Sequence, residues 1–236
     1  MGLQIAGKTV GGLKIAGKTV GGMKVGSKII YSSGTKFALY MIGSTADGLY
    51  TLDRTTGIAT RVGSAAQFGV GEVYPSGLAW DGTNLYMVGS FNHFLYTLDR
   101  TTGIATRVGS AAQFGVGETD SSGLAWDGTN LYMVGYGNTR LYTLDRTTGI
   151  ATRVGSASRF GVRASIPTGL AWDGTTLYML AAFNDRLYTL DRTTGIATRV
   201  GSAAQFGVGE TDPSGLARYQ THIECGEHIE GCAVPS

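Results

Sequence analysis

The stretch LYTLDRTTGIATRVG, at Leu95–Gly109, decides how the rest of this chain is interpreted. The same fifteen residues occur at Leu49–Gly63, Leu141–Gly155 and Leu187–Gly201, so the four copies follow one another at a constant interval of 46 residues. A second block, SGLAWDGTNLYMVG at Ser76–Gly89, recurs between them with few changes. Self-similarity at a period of about 40 to 50 residues is typical of proteins built from repeated supersecondary units.

The composition narrows the classes of function. The 236 residues include 38 glycines and 4 prolines, which predicts many tight turns and no proline-rich linker. A net charge of +2, with both signs scattered, offers no basic stripe and argues against nucleic-acid binding. No apolar run approaches the roughly 18 residues of a membrane span, and the amino terminus has no signal-peptide core. We therefore expect neither membrane insertion nor export by a signal peptide.

Each repeat contains four short runs that favour β-strands. In the repeat from Ser76 to Gly109 they are SGLAW (strand A), NLYMVG (B), FLYTLD (C) and IATRVG (D). The A–B connection begins Asp81-Gly82, and the C–D connection spans Asp99–Gly103; both carry the aspartate and glycine that hairpin turns require. Four antiparallel strands per repeat correspond to one blade of a β-propeller. We expect an all-β fold with a four-bladed β-propeller over residues 35–218.

The two ends of the repeat array complement each other. Leu39–Gly43 (LYMIG) match strand B of the first repeat, but residues 30–34 in front of them do not match strand A. At the other end, Ser214–Ala217 (SGLA) match strand A, and no strand B follows. We expect this C-terminal strand to complete blade one and close the ring, which would leave no bare sheet edge.

The repeated hairpin resembles the C-turn-D hairpin of propellers with an L-D-x-x-T-G signature, such as the quinoprotein-like repeats. The tryptophan that those repeats place after the turn is absent here. With a four-residue C–D loop, Tyr50 should lie opposite Arg61. Trp80, Trp126 and Trp172 should wedge between blades in the crowded interior; the alternative is an aromatic ring that binds sugar.

Residues 2–31 carry a shorter repeat of ten residues, GLQIAGKTVG, GLKIAGKTVG and GMKVGSKIIY. Apolar residues alternate with a polar one, as in Leu13-Lys14-Ile15, and a Gly-Lys turn separates this run from the next. The pattern predicts short strands reversed at glycine turns, which should pack on neighbouring chains or on the main domain. A flexible linker is the alternative.

These decads resemble the short x-I-x-G-x-x-x-V repeats found near the ends of bacteriophage and prophage tail or virion structural proteins. The resemblance implies a virion component. Residues 1–34 would then form an N-terminal segment for attachment and oligomerisation, through which a homo-oligomer contacts other virion proteins.

Acidic residues that recur in every repeat are poor candidates for catalysis, because one active site needs one copy. We expect them to cap turns; calcium binding is the alternative, but no further acidic ligands stand at loop spacing. The propeller region has one histidine, His93, and no Ser-His-Asp or Cys-His arrangement forms around it. We expect no enzyme, no catalytic residue and no cofactor. The recurring aspartates are Asp53, Asp99, Asp145 and Asp191 in the C–D turns and Asp81, Asp127 and Asp173 in the A–B turns.

The repeats differ from one another after strand B and before strand A. In a propeller these connections emerge on one face, so the varied residues should share one surface suited to a sugar or a protein epitope. Neutral drift in exposed loops is the alternative. The candidate ligand-binding residues are Tyr74, Phe91, Asn92, His93, Tyr136, Asn138, Arg140, Phe183, Asn184, Asp185 and Arg186.

The last segment, residues 219–236, differs in composition from the repeats. His222, Cys225, His228 and Cys232 give four side chains that can bind zinc, although their order matches no common zinc motif. A disulfide between Cys225 and Cys232, or two free thiols, are the alternatives.

Together these features predict a non-enzymatic virion protein, of the phage tail or fibre type, that binds a host-surface glycan or protein through its varied loops. We expect it in the virion. The alternatives are a secreted or cell-surface propeller of lectin-like or adhesive type, and an enzyme acting on polysaccharide, which would need paired carboxylates in a cleft.

Overall fold

A computed structural model describes residues 3–5, 8–10, 14–15, 18–19, 38–43, 47–72, 74–156, 160, 166–182 and 185–201. Contacts between residues divide the chain into two compact units, Met1–Leu39 and Tyr40–Ser236.

The first unit contains two short antiparallel strand pairs. Strand β1 (Leu3–Ile5) pairs with β2 (Lys8–Val10), and β3 (Lys14–Ile15) pairs with β4 (Lys18–Thr19). Each pair occupies one decad, so the predicted strands of the first two decads are confirmed. The third decad, residues 22–31, lies outside the described residues.

The second unit is a four-bladed β-propeller, as predicted, with one antiparallel sheet for each repeat. Within every sheet the hydrogen-bonded neighbours are also neighbours in sequence. The strands are β5 (Leu39–Gly43), β6 (Gly48–Leu52) and β7 (Ala59–Arg61) in blade 1; β8 (Pro75–Trp80), β9 (Leu85–Gly89), β10 (Leu95–Leu98) and β11 (Ala105–Arg107) in blade 2; β12 (Ser121–Trp126), β13 (Leu131–Gly135), β14 (Arg140–Leu144) and β15 (Ala151–Arg153) in blade 3; and β16 (Pro167–Trp172), β17 (Leu177–Ala181), β18 (Arg186–Leu190) and β19 (Ala197–Arg199) in blade 4.

The described part of blade 1 has strands B, C and D, in line with the missing strand A in the sequence. Ser214–Ala217, expected to supply that strand and close the ring, lie outside the described residues, so this closure stays a prediction. The domain limits at residues 34 and 218 also stay predictions.

The register within each blade follows the alternation of the sequence. Tyr50 lies opposite Arg61, as predicted, and Leu52 lies opposite Ala59. Strand β9, LYMVG, is buried at all five positions because neighbouring blades cover both of its faces.

A phenylalanine in each blade-to-blade connection fills the space between sheets. Phe68, in the connection from blade 1 to blade 2, is fully buried in one cluster with Leu49 of blade 1 and Leu85 of blade 2. Phe114 and Phe160 are fully buried in the equivalent clusters of the next two junctions. These side chains hold adjacent blades together through apolar burial, which contributes about 2 kcal/mol for each fully buried side chain.

The helices whose bounds the structure describes are two 3₁₀ segments, Ala66–Gly69 and Ala112–Gly115. Neither has the length or apolar character that a membrane-crossing helix requires.

Candidate binding face

The strands of each blade place two kinds of connection at opposite ends of the sheet. In blade 2, Pro75 pairs with Gly89 at one end of the A–B ladder, and Trp80 pairs with Leu85 at the other. We call the end with the A–B and C–D turns the turn end. The end with the B–C loop and the connection into strand A is the loop end. In blades 2, 3 and 4 the B–C loop and the connection into strand A therefore lie at the same end of the sheet. That the varied residues form one binding surface stays a prediction.

Aspartate side chains build the turn end, as expected. The Asp81 Oδ1 atom accepts N–H hydrogen bonds from Thr83 and Asn84 at 2.8 and 2.7 Å. The Asp99 Oδ1 atom accepts the corresponding pair from Thr101 and Thr102 at 2.8 and 2.7 Å. The same two bonds recur at Asp53, Asp127, Asp145, Asp173 and Asp191.

The turn ends of neighbouring blades are joined by arginine. The Arg146 guanidinium of blade 3 lies 4.3 Å from the ring centroid of Trp126 in its own blade. Its Nη1 atom lies 2.5 Å from Asp81 Oδ2 of blade 2. Burial by itself would raise the pKa of Asp81, but hydrogen bonds from Asn84 and Thr83 and the Arg146 guanidinium hold it below its ordinary value. Arg192 of blade 4 makes the same stack on Trp172 and the same ion pair with Asp127.

Trp126 and Trp172 pack half-buried against the clusters between blades, as predicted, whereas Trp80 is 39% exposed. Trp80 is the last residue of strand A, so its ring reaches the rim at the turn end, where it is partly exposed beneath Arg100. Because an arginine covers the face of each indole, the described tryptophans do not form an open aromatic ring for sugar.

A buried glutamate organises the loop end, and sequence reasoning missed it. Glu118 is fully buried. Its Oε1 atom accepts N–H hydrogen bonds from Asp120 and Gly137 at 3.3 and 3.1 Å, and Oε2 accepts one from Asn138 at 3.2 Å. The carboxylate therefore ties the B–C loop of blade 3 to the connection that enters the same blade.

Glu72 does the same in blade 2. It is fully buried and accepts N–H hydrogen bonds from Tyr74, Phe91 and Asn92 at 3.1 to 3.2 Å. A Cβ atom added at Gly89 would lie 1.9 Å from Glu72 Oε2, so this glycine leaves the room that the carboxylate occupies. The sequence signal was present: FGVGE precedes strand A at residues 68–72, 114–118 and 206–210, whereas the fourth blade has FGVRA.

The most exposed candidate side chains lie on blades 2 and 3. Tyr74 and Phe91 are 61% and 57% exposed, and their ring centroids lie 6.4 Å apart at an angle of 55°. Tyr136 of blade 3 is 43% exposed. The loop ends of these two blades are joined where Ser90 Oγ donates to the Ser121 carbonyl at 2.9 Å.

Other candidates are half-buried and have local structural roles. Asn92 hydrogen-bonds the Tyr96 hydroxyl, and burial raises the pKa of Tyr96 to about 12. His93, Thr139 and Asp185 occupy one repeat position with φ between 48° and 56°, the left-handed region that turns require. His93 is thus explained as a turn residue. Asn138, Arg140 and Arg186 are half-buried beside these turns.

Two candidates, Phe183 and Asn184, lie outside the described residues, as do His222, Cys225, His228 and Cys232. The proposed zinc site or disulfide in the tail therefore stays a prediction. Within the described ranges, no three His, Cys, Asp or Glu side chains stand close enough together to hold a metal ion.

No protein-family model matches this chain, and no curated protein matches its sequence. Solved structures share its fold. A chain of a nidogen/laminin complex matches with a TM-score of 0.50 and 13% identity, over 69% of this chain and 60% of that one. A protein of unknown function from Bacteroides thetaiotaomicron matches with a TM-score of 0.52 and 18% identity, over 75% of this chain and 50% of that one. The match spans less than two thirds of either structure, and at these identities it shows the fold alone.

Proposed function

We propose that this protein is a non-enzymatic recognition module that binds a surface glycan through the loop end of its propeller. One observation carries the proposal: the loop end keeps one backbone arrangement in blades 2 and 3 while its side chains change. Phe91 and Gly137 occupy the same repeat position, and each donates its N–H group to a buried glutamate. Tyr74 and Asp120 are a second such pair.

This arrangement suits recognition because the groups that hold the loops in place are not the side chains that would contact a ligand. The glutamates hold the loops by backbone N–H groups, so a side chain at these positions can change without loss of its support. Connections supported by a rigid scaffold are where proteins place most binding residues. The side chains that contact a ligand can thus differ between blades, while the backbone of the loops stays the same.

The exposed side chains favour a sugar ligand. Tyr74 and Phe91 offer two tilted aromatic faces on which the apolar face of a sugar ring can stack. Asp120, exposed at the loop end of blade 3, can hydrogen-bond hydroxyl groups. The described aspartates of the turn end all bind their own backbone, so the proposal assigns them no catalytic role.

We further propose that the propeller is carried on a virus particle. The support is the resemblance of the N-terminal decads to repeats of phage tail and virion proteins, together with their confirmed short strand pairs. Peptides of this chain should then occur in purified particles from its host, and particles without them would contradict this part of the proposal.

An array of defined glycans and bacterial surface polysaccharides tests the binding. The wild-type chain should bind at least one of them, and replacing Tyr74 and Phe91 together by alanine should weaken that binding at least about tenfold. Ile150→Ala is the control, because Ile150 is 46% exposed and lies at the turn end. A wild-type chain that binds nothing on the array, or a double variant that binds as the wild type does, would overturn the proposal. Release of shortened oligosaccharide would show an enzyme instead.

A further inference from the structure

The described residues form three junctions between consecutive blades, and all three have the same geometry. At each junction the C–D turn of one blade lies against the chain that leaves strand D of the preceding blade. No space remains between them, because a Cβ atom added at the glycine after strand D would overlap a threonine carbonyl oxygen. The separations are 2.0 Å for Gly63 and Thr102, 2.1 Å for Gly109 and Thr148, and 2.2 Å for Gly155 and Thr194.

The side of blade 4 that faces away from blade 3 has the glycine after strand D. Among the described residues, no C–D turn of a following blade lies against it. Gly201 is the equivalent of Gly155, yet no described residue lies within 4 Å of a Cβ atom added there. Val200 is exposed, whereas its equivalent Val154 is buried. Leu187 is half-buried, although the corresponding leucines of the other three blades are buried.

The side of blade 1 that faces away from blade 2 has a C–D turn. Among the described residues, no chain leaving strand D of a preceding blade lies against this turn. In the part of the chain that the structure describes, no atom lies within 4 Å of a Cβ atom added at Gly57, whereas one at Gly103 would lie 2.5 Å from a carbonyl oxygen of the preceding blade. Ile58 is 64% exposed, against 46% for Ile104. Met41 is 37% exposed, while the equivalent Met87 is fully buried.

The charges of the two sides are complementary. Arg146 and Arg192 each pair with an aspartate in the A–B turn of the preceding blade. By the same repeat spacing, Asp173 of blade 4 would receive an arginine from a following blade, and Arg54 of blade 1 would reach an aspartate of a preceding one. Among the described residues, Arg54 and Asp173 form no ion pair with each other.

We propose that a second copy of this chain supplies the missing half of each junction. Blade 4 of one copy docks against blade 1 of the next, so that the C–D turn around Gly57 lies on Gly201 and Arg54 reaches Asp173. The three internal junctions show that these surfaces are complementary, because the sequences on both sides are repeated.

Two copies complete such an assembly. A head-to-tail contact makes a closed ring when its rotation closes, and two copies with four blades each give a ring of eight. Eight is the upper end of the usual range of propeller blades, so a third copy would exceed it. This interface differs from the one predicted for residues 1–34, and the proposal does not depend on the function of the loop end.

Sedimentation or native mass spectrometry of the full chain tests the interface. The wild type should show twice the mass of one chain. Arg54→Glu brings a carboxylate to Asp173 of the other copy and should weaken association at least about tenfold. Gly57→Ala should do the same by overlap with the other copy.

Each variant has a matched control. Arg54→Lys keeps the charge and should keep the mass of the wild type. Gly71→Ala has the same φ of 72° and equally open surroundings as Gly57→Ala, but lies in the connection between blades 1 and 2. It separates backbone strain from the contact, and its mass should also stay that of the wild type. A wild-type chain with the mass of one chain would overturn the proposal, since the chain would then cover these surfaces itself. A larger mass that Arg54→Glu and Gly57→Ala leave unchanged would overturn it too, since another segment would hold the copies together.

Discussion

The turn end and the loop end of the blades differ in which part of the chain accepts hydrogen bonds from their backbone N–H groups. Both must satisfy backbone N–H groups where strands reverse. At the turn end, Asp81 and Asp99 belong to the turns whose N–H groups they bind. At the loop end the acceptor is Glu118, which comes from the connection before the blade and reaches the B–C loop some twenty residues later.

The difference explains where the repeats are allowed to vary. A turn is constrained in its side chains when it depends on its own aspartate and on an arginine that reaches the preceding blade. A loop that is held from outside through N–H groups fixes only its backbone path, because every residue except proline has an N–H group. The turn end is therefore repeated almost without change, while the loop end differs from blade to blade.

Removing the loop-end glutamate should produce the largest effect. Glu118→Ala leaves three N–H groups without their acceptor in a buried place, and we expect the free energy of unfolding to fall by about 3 kcal/mol. Urea denaturation measures the change. The matched control is Asp120→Ala, which removes an exposed carboxylate two residues away and should cost less than about 0.5 kcal/mol. Equal urea midpoints for Glu118→Ala and the wild type would refute the role of the glutamate.

Breaking the link between turn ends should have a smaller effect. Arg146→Ala removes both the stack on Trp126 and the ion pair with Asp81, and should cost about 1–2 kcal/mol. Arg100→Ala is the control, because Arg100 makes the stack on Trp80 without an ion pair among the described residues. It should cost about 0.5–1 kcal/mol. The difference in urea midpoint between Arg146→Ala and Arg100→Ala measures what the ion pair contributes to stability. Equal midpoints would show that the ion pair contributes nothing.

We expect the smallest change in stability from replacing a threonine by glycine. This change should stabilise the protein at the loop end and destabilise it at the turn end. Thr139, in the B–C loop of blade 3, has φ of +49°, a strained value for a β-branched residue. Thr139→Gly should raise the free energy of unfolding by about 0.5–1 kcal/mol. Thr129→Gly, in the A–B turn of the same blade, relieves no such strain and should lower it by a similar amount. Thermal unfolding compares the two variants, and a loss of stability in both would contradict the left-handed conformation at Thr139.

Sequence reasoning recovered the architecture because the architecture is repeated. Strand positions, hairpin turns, capping aspartates and the pairing of Tyr50 with Arg61 all follow from local patterns that occur four times. The same reasoning placed the varied segments at one end of each sheet. It misjudged Trp80, because alternation along strand A says which side a residue faces and not whether an arginine covers it at the rim.

Glu72 and Glu118 show what the sequence could not provide. Each is a single charged residue in a glycine-rich connection, and such a residue is usually exposed. Its burial depends on a loop some twenty residues away and on the space left by Gly89 or Gly135.

The amino-acid sequence alone determined the number of blades, the order of their strands and the ends at which they vary, since these depend on period, alternation and turn chemistry. Only the tertiary structure decided which groups hold the varied loops and which junctions the described blades complete. Both depend on contacts between residues far apart in the chain, and a local pattern does not encode such contacts.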